Sequence, residues 1–161
     1  MPSASSQSVL SGYRVVELTS ERCALAGKLL ADMGAEVIVV EPPEGCATRS
    51  WEPYADDEAG TENSLHWWHY NTSKKSVVLD LDSSSGAQSF RSLVATSDVV
   101  IEAEPIGRLN ALGLDWEQLS DTNSELIWTS ITHHGRDGGD PPSTDLTLLA
   151  EGGPVWSCGY D

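Results

Sequence analysis

The sequence predicts an α/β fold, a doubly wound and mainly parallel sheet. Two observations carry that prediction. Short apolar runs of strand length alternate with segments whose apolar residues recur at helical spacing, the pattern of repeated β-α-β units. Val37-Ile38-Val39-Val40 is also a continuous β-branched run, as expected of a strand covered on both faces.

The elements follow in order. Residues 1–11 form a polar stretch without the basic start and apolar core of a signal peptide. They read as a disordered leader ahead of one domain over 12–161. Tyr13 to Leu18 is the first strand. Ser20 is a suitable N-cap for a helix with Cys23, Ala26, Leu29, Leu30 and Met33 on its inward stripe, ended by Gly34. Val37 to Val40 is the second strand, reached by a right-handed crossover. Residues 42–75 mix Pro, Gly, acids and aromatics without a period and predict a long ordered loop. A loop of that length inside a compact domain is uncommon unless it has a function or packs on a partner.

Val77 to Leu81 restores strand periodicity. Ser83 to Ser85 then cap a helix through about Ala95, with Ala87, Phe90, Leu93 and Val94 inward. Asp98 to Ile101 is a strand, Ile106 to Leu112 a short helix stopped by Gly113, and Trp116 to Leu119 a further turn. Leu126 to Ile131 is the next strand. A Gly/Pro/Asp-rich loop spans His133 to Ser143, and Ser143 or Thr144 caps a helix of Leu146, Leu148, Leu149 and Ala150. Gly152-Gly153 ends that helix, and Val155-Trp156-Ser157 begins an element that the chain does not finish.

Composition narrows the partners. Twenty-five acids face nine basic residues, a net charge of −16. That balance repels nucleic acid and anionic membrane surfaces, and it opposes any polyanionic ligand unless local bases or helix amino termini offset it. No apolar run is long enough to span a bilayer. Cys23, Cys46 and Cys158 have no paired spacing, which predicts a reduced cytoplasmic protein and no zinc or other metal site.

Several chemistries compete. Glu41 follows the second strand, where dinucleotide-binding folds hold a ribose hydroxyl. Yet the first turn, Leu18 to Ala24, contains no glycine, so its backbone cannot approach a pyrophosphate, and neither nicotinamide nor flavin is expected. No P-loop is present. His133-His134 reads either as general bases at a strand end or, preferably, as solvated loop residues. His66-Trp67-Trp68-His69-Tyr70 reads as an aromatic platform or, preferably, as packing of the loop onto the sheet or a second subunit. Cys23 at a helix start is a reactive thiol or, preferably, a small core residue. Lys74-Lys75 is the one adjacent basic pair, suited equally to a phosphate or to solvent. Asp98, Glu102 and Asp145 suit caps and ion pairs better than acid-base work.

Ordered blocks then point to a family. They are Leu29 to Pro43, Thr48-Arg49-Ser50-Trp51, Asn71 to Leu81, Ser97 to Glu102, Leu112-Gly113-Leu114 and Leu126 to Ile131. In this order they resemble the amino-terminal large-domain portion of family III CoA-transferases, which include formyl-CoA and carnitine-CoA transferases and α-methylacyl-CoA racemase. The resemblance implies a Rossmann-like domain, part of an interlocked two-domain fold. It implies coenzyme A or acyl-CoA as substrate, a carboxylic acid acceptor, and a homodimer or a partner supplying the missing half. CoA transfer would run through an aspartyl-acyl anhydride, nucleophilic catalysis by a carboxylate. That aspartate is expected beyond Asp161, so no catalytic residue is assigned here. The racemase histidine would fall at Thr144, which disfavours racemisation.

Carried onto this sequence, the CoA-binding residues are Thr19 and Ser20 in the first βα turn, Leu79 and Asp80 near the nucleotide, and Lys74, Lys75 and Arg108 for phosphates. The chain departs from the family at four places. The Ala-Gly-Pro of many relatives is missing from the first turn, Pro42 stands where an arginine often follows the strand-two acid, the family's Glu-Asn-Phe/Tyr-Arg-Pro-Gly loop is reduced to Glu102-Ala103-Glu104-Pro105-Ile106-Gly107, and Ala111 replaces another arginine. Arg108, one turn earlier, substitutes in part. These losses keep a second expectation open, a catalytically inactive family member or half serving as an assembly scaffold.

Overall fold

A computed structural model of the chain describes residues 8–139 and 141–159. The chain divides into two units, Met1–Ile131 and Thr132–Asp161. The first holds a five-stranded sheet in the order β3-β2-β1-β4-β5, with every neighbouring pair parallel. Its strands are β1 (Arg14–Leu18), β2 (Glu36–Glu41), β3 (Lys75–Val78), β4 (Val99–Glu102) and β5 (Ile127–Ser130). Between them lie α1 (Glu21–Asp32), α2 (Leu65–Asn71), α3 (Ser84–Val94), α4 (Arg108–Ala111) and α5 (Trp116–Leu119). The chain therefore has the α/β fold that its periodicity predicts.

Strand side chains alternate between two cores. Val16, Leu18, Val40 and Val100 pack with Ala87, Phe90 and Val94 of α3 and with Leu109, Leu114 and Leu119. Val15, Val37 and Ile101 meet Cys23 and Ala31 of α1, with Ala35 beside them. Helices on both faces leave the central strands without a wet side, hence their unbroken β-branched runs.

The cap of α1 is as expected: Ser20 Oγ accepts from the Arg22 amide at 3.2 Å. Its end is as well, with Gly34 at φ +102° and the Ala35 amide donating back to the Leu30 carbonyl. Its inward face differs in part from the expected stripe: Cys23, Ala26 and Leu30 pack inward as expected. Cys23, Ala24, Gly27 and Ala31 face the sheet, while Leu29 and Met33, together with Leu25, are exposed. Small residues win that face because α1 lies close over a charged residue of β1. A Cβ at Gly27 would sit 1.6 Å from Glu17 Oε2, so the glycine makes room for a buried carboxylate.

Residues 42–75 are more structured than a long loop. Short 3₁₀ segments occupy Ala47–Ser50 and Ala55–Asp57, and the aromatic run is helix α2. Ser64 caps α2 by accepting from the Trp67 amide at 3.1 Å. Trp67 alone is buried in α2, against Val39 and Cys46, so the helix shows no apolar period in sequence. The run packs this segment onto the sheet. Strand β3 starts two residues before the expected Val77 and ends at Val78, because pairing begins at Lys75 opposite Ile38. The Leu79 amide still donates to the Glu41 carbonyl.

Residues 1–7 of the expected leader lie outside the described residues. Ser8 to Ser11 form turns, and the Leu10 amide donates to the Met33 carbonyl at 3.0 Å. In the second unit Thr144 caps α6 (Asp145–Glu151) in a reciprocal box with Thr147, and α7 (Pro154–Ser157) follows Gly153.

Candidate functional site: a groove at the carboxyl ends of the strands

Connections run outward from β1 through β2 to β3, then return to place β4 on the other side of β1. Such a reversal opens a crevice beyond the carboxyl ends of the strands, where open α/β sheets bind ligands. A groove of about 270 Å³ lies there. Leu18 and Thr19 come from the end of β1, Val40 to Glu44 from the end of β2, and Leu79 to Asp82 from the end of β3. Glu104 and Arg108 close it from the segment after β4.

Four residues named from the sequence meet in this groove: Thr19, Leu79, Asp80 and Arg108. The Asp80 backbone is fixed by α3. Its carbonyl accepts from Ser83 Oγ at 2.8 Å, and a Cβ at Gly86 would lie 1.9 Å from that oxygen. Asp80 Oδ1 accepts from the Asp82 amide at 3.1 Å, bending the chain back under the groove. Ser20 is placed differently, its hydroxyl engaged in capping α1.

The two lysines lie away from the groove lining. The side chain of Lys74 is 1% exposed, its ammonium donating to both Glu17 oxygens (3.0 and 2.8 Å), to the Ala24 carbonyl (3.0 Å) and to Asn71 Oδ1 (3.2 Å). Burial pushes the Glu17 carboxyl up, and the charge and hydrogen bonds of Lys74 pull it down less strongly. Lys75 begins β3, the end remote from Leu79, where it bridges Glu36, which also accepts from Arg14 Nε at 2.6 Å. Lys74 thus ties β1, the first turn of α1 and the end of α2 together.

Glu41 is 2% exposed and fully engaged. It takes a bidentate pair from Arg49 (Nε to Oε2 2.7 Å, Nη2 to Oε1 2.8 Å), the Cys46 amide at 3.0 Å, and the Ser76 hydroxyl. These donors outweigh burial and hold its carboxyl at about 2. Arg49 lies 4.0 Å over the ring of Trp67. The network anchors the Pro42-Pro43-Glu44 wall, and its carboxylate is not offered to the groove as a free hydroxyl acceptor.

Sequence reasoning missed Arg49, Ser76, Asp82 and Glu104 as site-forming residues. Arg49 stands in a block that signalled the family, but a lone arginine in an aperiodic segment gives no sign of its partner. Cys23 is fully buried, and burial with Glu17 and Glu102 nearby pushes its thiol up to about 12, so it is a core residue and not a nucleophile.

Within the second unit, His134 Nε2 lies 2.8 Å from Ser143 Oγ and Nδ1 lies 3.3 Å from Glu151 Oε2. The order is that of a hydrolase triad. However, Ser143 Oγ donates to the Pro141 carbonyl at 3.0 Å and Glu151 is 62% exposed, so the row fastens the loop to α6. His134 is therefore a bonded residue, not the freely solvated one that the sequence suggests. Among the described residues no cluster of His, Cys, Asp or Glu is arranged to hold a metal ion, and no helix is long and apolar enough to cross a membrane.

A parallel doubly wound sheet with a groove at its switch point is the architecture of ligand-binding α/β proteins. Comparison with known proteins narrows it. The model of CoA-transferase family III matches residues 10–161, and this chain belongs to that family. Succinyl-CoA:(R)-benzylsuccinate CoA-transferase subunit BbsE of Thauera aromatica is 37% identical over 153 residues, covering 94% of this chain and 37% of that protein. Succinate–glutarate CoA-transferase of Agrobacterium fabrum is 46% identical over 133 residues, 80% of this chain and 33% of that protein. Among solved structures, Rv3272 of Mycobacterium tuberculosis superposes with a TM-score of 0.82 at 35% identity, covering 96% of this chain and 42% of that one. A CAIB/BAIF family protein from Brucella suis gives 0.80 at 37% identity, covering 91% and 40%. The chain thus spans about two fifths of the relatives it matches, or less.

Proposed function

We propose that this chain is the nucleotide-binding portion of an enzyme that moves coenzyme A between carboxylic acids. The observation that carries the reading is the convergence of Thr19, Leu79, Asp80 and Arg108 on one groove in a chain of this family. In the proposal Leu79 and the apolar ends of β1 and β2 receive the adenine. Asp80 and Thr19 supply polar contacts, and Arg108 meets a phosphate. Lys75, exposed at the far end of β3, serves CoA only if the ligand extends past the groove, and Lys74 supports the fold beneath the β1–α1 turn.

In the whole enzyme an aspartate beyond Asp161 attacks the thioester carbonyl. The carbon–sulfur bond breaks, CoA leaves as thiolate, and a mixed anhydride remains. The acceptor carboxylate then attacks the aspartyl carbonyl of this anhydride and the donor carboxylate leaves, giving a new anhydride; the CoA thiolate attacks its acceptor-derived carbonyl, and the aspartate leaves as carboxylate. Relatives named for succinyl-CoA as donor support a carboxylate pair as substrates. The exposed apolar stripe of Leu25, Leu29 and Met33 supports a second copy or a further part of the protein as its cover.

The test is isothermal titration of free CoA into the folded chain at high KCl, compared with Leu79→Trp, which fills the groove. Micromolar binding that the variant abolishes is the expected result. Wild-type protein that stays folded and takes up no CoA at millimolar concentration would overturn the reading in favour of an assembly role.

A further inference from the structure

The charge of this groove is opposite to that of an ordinary phosphate site. Its lining carries five carboxylates, from Glu41, Glu44, Asp80, Asp82 and Glu104, and one guanidinium, from Arg108. Arg49 answers the charge of Glu41 at 2.7 Å. Glu21 and Arg22, in the first turn of α1, offset each other. What remains facing a ligand is an excess of negative charge, within a chain of net −16.

Arg108 is itself occupied. Its Nη2 donates to Asp82 Oδ2 at 3.0 Å and its Nη1 to Asp82 Oδ1 at 3.4 Å, while Nε pairs with Glu104 Oε2 at 2.9 Å. The hydrogen bonds it donates to Asp82, together with the charge of Glu104, raise the guanidinium's already high pKa, so its charge is permanent. Arg108 is 39% exposed and Asp82 63% exposed, so the pair stands in solvent and a phosphate can exchange for the Asp82 carboxylate. The exchange sets one anion against another on the same fork of donors.

This inference rests on the groove being the CoA site. We propose that Asp82 and Glu104 form a carboxylate clamp on Arg108, so that the groove binds anionic nucleotides more tightly as monovalent salt rises. An ordinary phosphate site loses affinity with salt because its attraction to bases is screened. Here screening removes more repulsion than attraction, since acids outnumber the base and Arg108 is already paired. The range of the field shrinks from roughly 30 Å at 0.01 M salt to roughly 3 Å at 1 M. At the upper limit a bound phosphate feels Arg108 in contact and little of the surrounding acids. The exposed Asp82–Arg108 pair is also of the kind that salt weakens readily.

The experiment is a series of CoA titrations into the folded chain from about 0.05 to about 1 M KCl. Circular dichroism at each salt concentration establishes that the fold is unchanged. The expected result is a Kd for CoA that falls about tenfold or more across the series. Dephospho-CoA, with fewer phosphate charges, should show a shallower fall. The double variant Asp82→Asn/Glu104→Gln should bind CoA more tightly than wild type at low salt and respond less to KCl. Glu117→Gln/Glu125→Gln, remote from the groove, should keep the wild-type slope.

CoA binding that weakens with salt would overturn the clamp and leave the groove assignment standing. So would equal slopes for CoA and dephospho-CoA, which would trace the effect to the fold and not to the phosphates. No CoA binding at any salt, from folded protein, would overturn the groove assignment itself.

Discussion

Lys74 is the residue whose role changes most between sequence and structure. As one of two adjacent lysines in an acidic chain it suggests a phosphate contact, yet its ammonium is sealed against Glu17 with every donor engaged. Breaking a buried pair by removing one partner leaves an uncompensated charge and costs about 3–5 kcal/mol. Lys74→Met should therefore lower stability by that amount in urea unfolding, and adding Glu17→Gln should restore most of it. An unchanged midpoint in the single variant would show that the pair is solvated. Glu41 gives a second prediction at this scale. Its carboxyl, held at about 2 in the folded chain, contributes stability that is fully present above its ordinary value near 4.5 and is lost as pH falls toward 2. The loss amounts to about 3 kcal/mol on the scale of 1.36 kcal/mol per pKa unit. Glu17 has the opposite sign, because burial raises its carboxyl and acid relieves it. Glu41→Gln should consequently flatten the acid limb of a stability profile, measured by denaturant titration at each pH. A limb equally steep in the variant would assign acid unfolding to other groups.

Helix α1 shows how an element is oriented. Read for apolar period, its inward stripe is Cys23, Ala26, Leu29, Leu30 and Met33; in the fold Cys23, Ala26 and Leu30 do pack inward, while Leu29 and Met33 face outward and small residues meet the sheet. The carboxylate of Glu17 decides the matter, because only a glycine at position 27 lets the helix backbone pass over it. Helix α3 has no such constraint, and its stripe of Ala87, Phe90 and Val94 lies inward as its period predicts. The contrast is measurable. Phe90→Ala, emptying a fully buried site, should cost about 3–5 kcal/mol. Leu29→Ala, at a half-exposed position, should stay within about 0.5 kcal/mol in thermal or urea unfolding. A large loss from Leu29→Ala would mean that this stripe is covered by a second copy in solution.

For the whole molecule, the three apolar clusters draw their buried members, among the described residues, from positions no later than Leu126. A chain ending at Ile131 should therefore keep its cooperative transition, with a loss below about 1 kcal/mol or roughly 4 °C in Tm. A non-cooperative melt would show that Thr132–Asp161 completes the core. The sequence by itself determined the α/β class, the five strands, the cap at Ser20 and the family, because each depends on local spacing or on ordered blocks of residues; the fold then chose Ser83 among three serines and Thr144 over Ser143 as the later caps. It also named Thr19, Leu79, Asp80 and Arg108, which three separate segments bring to one groove. Only the tertiary structure decided that the aromatic run is a helix, since Trp67 alone among its residues is buried and one residue makes no period. It alone placed Lys74 on Glu17, fifty-seven residues away in sequence, and Arg49 on Glu41. Charge pairs of that range leave no mark on periodicity. Which acid meets which base is settled by the folded backbone, through the burial that makes an unpaired charge too costly to keep.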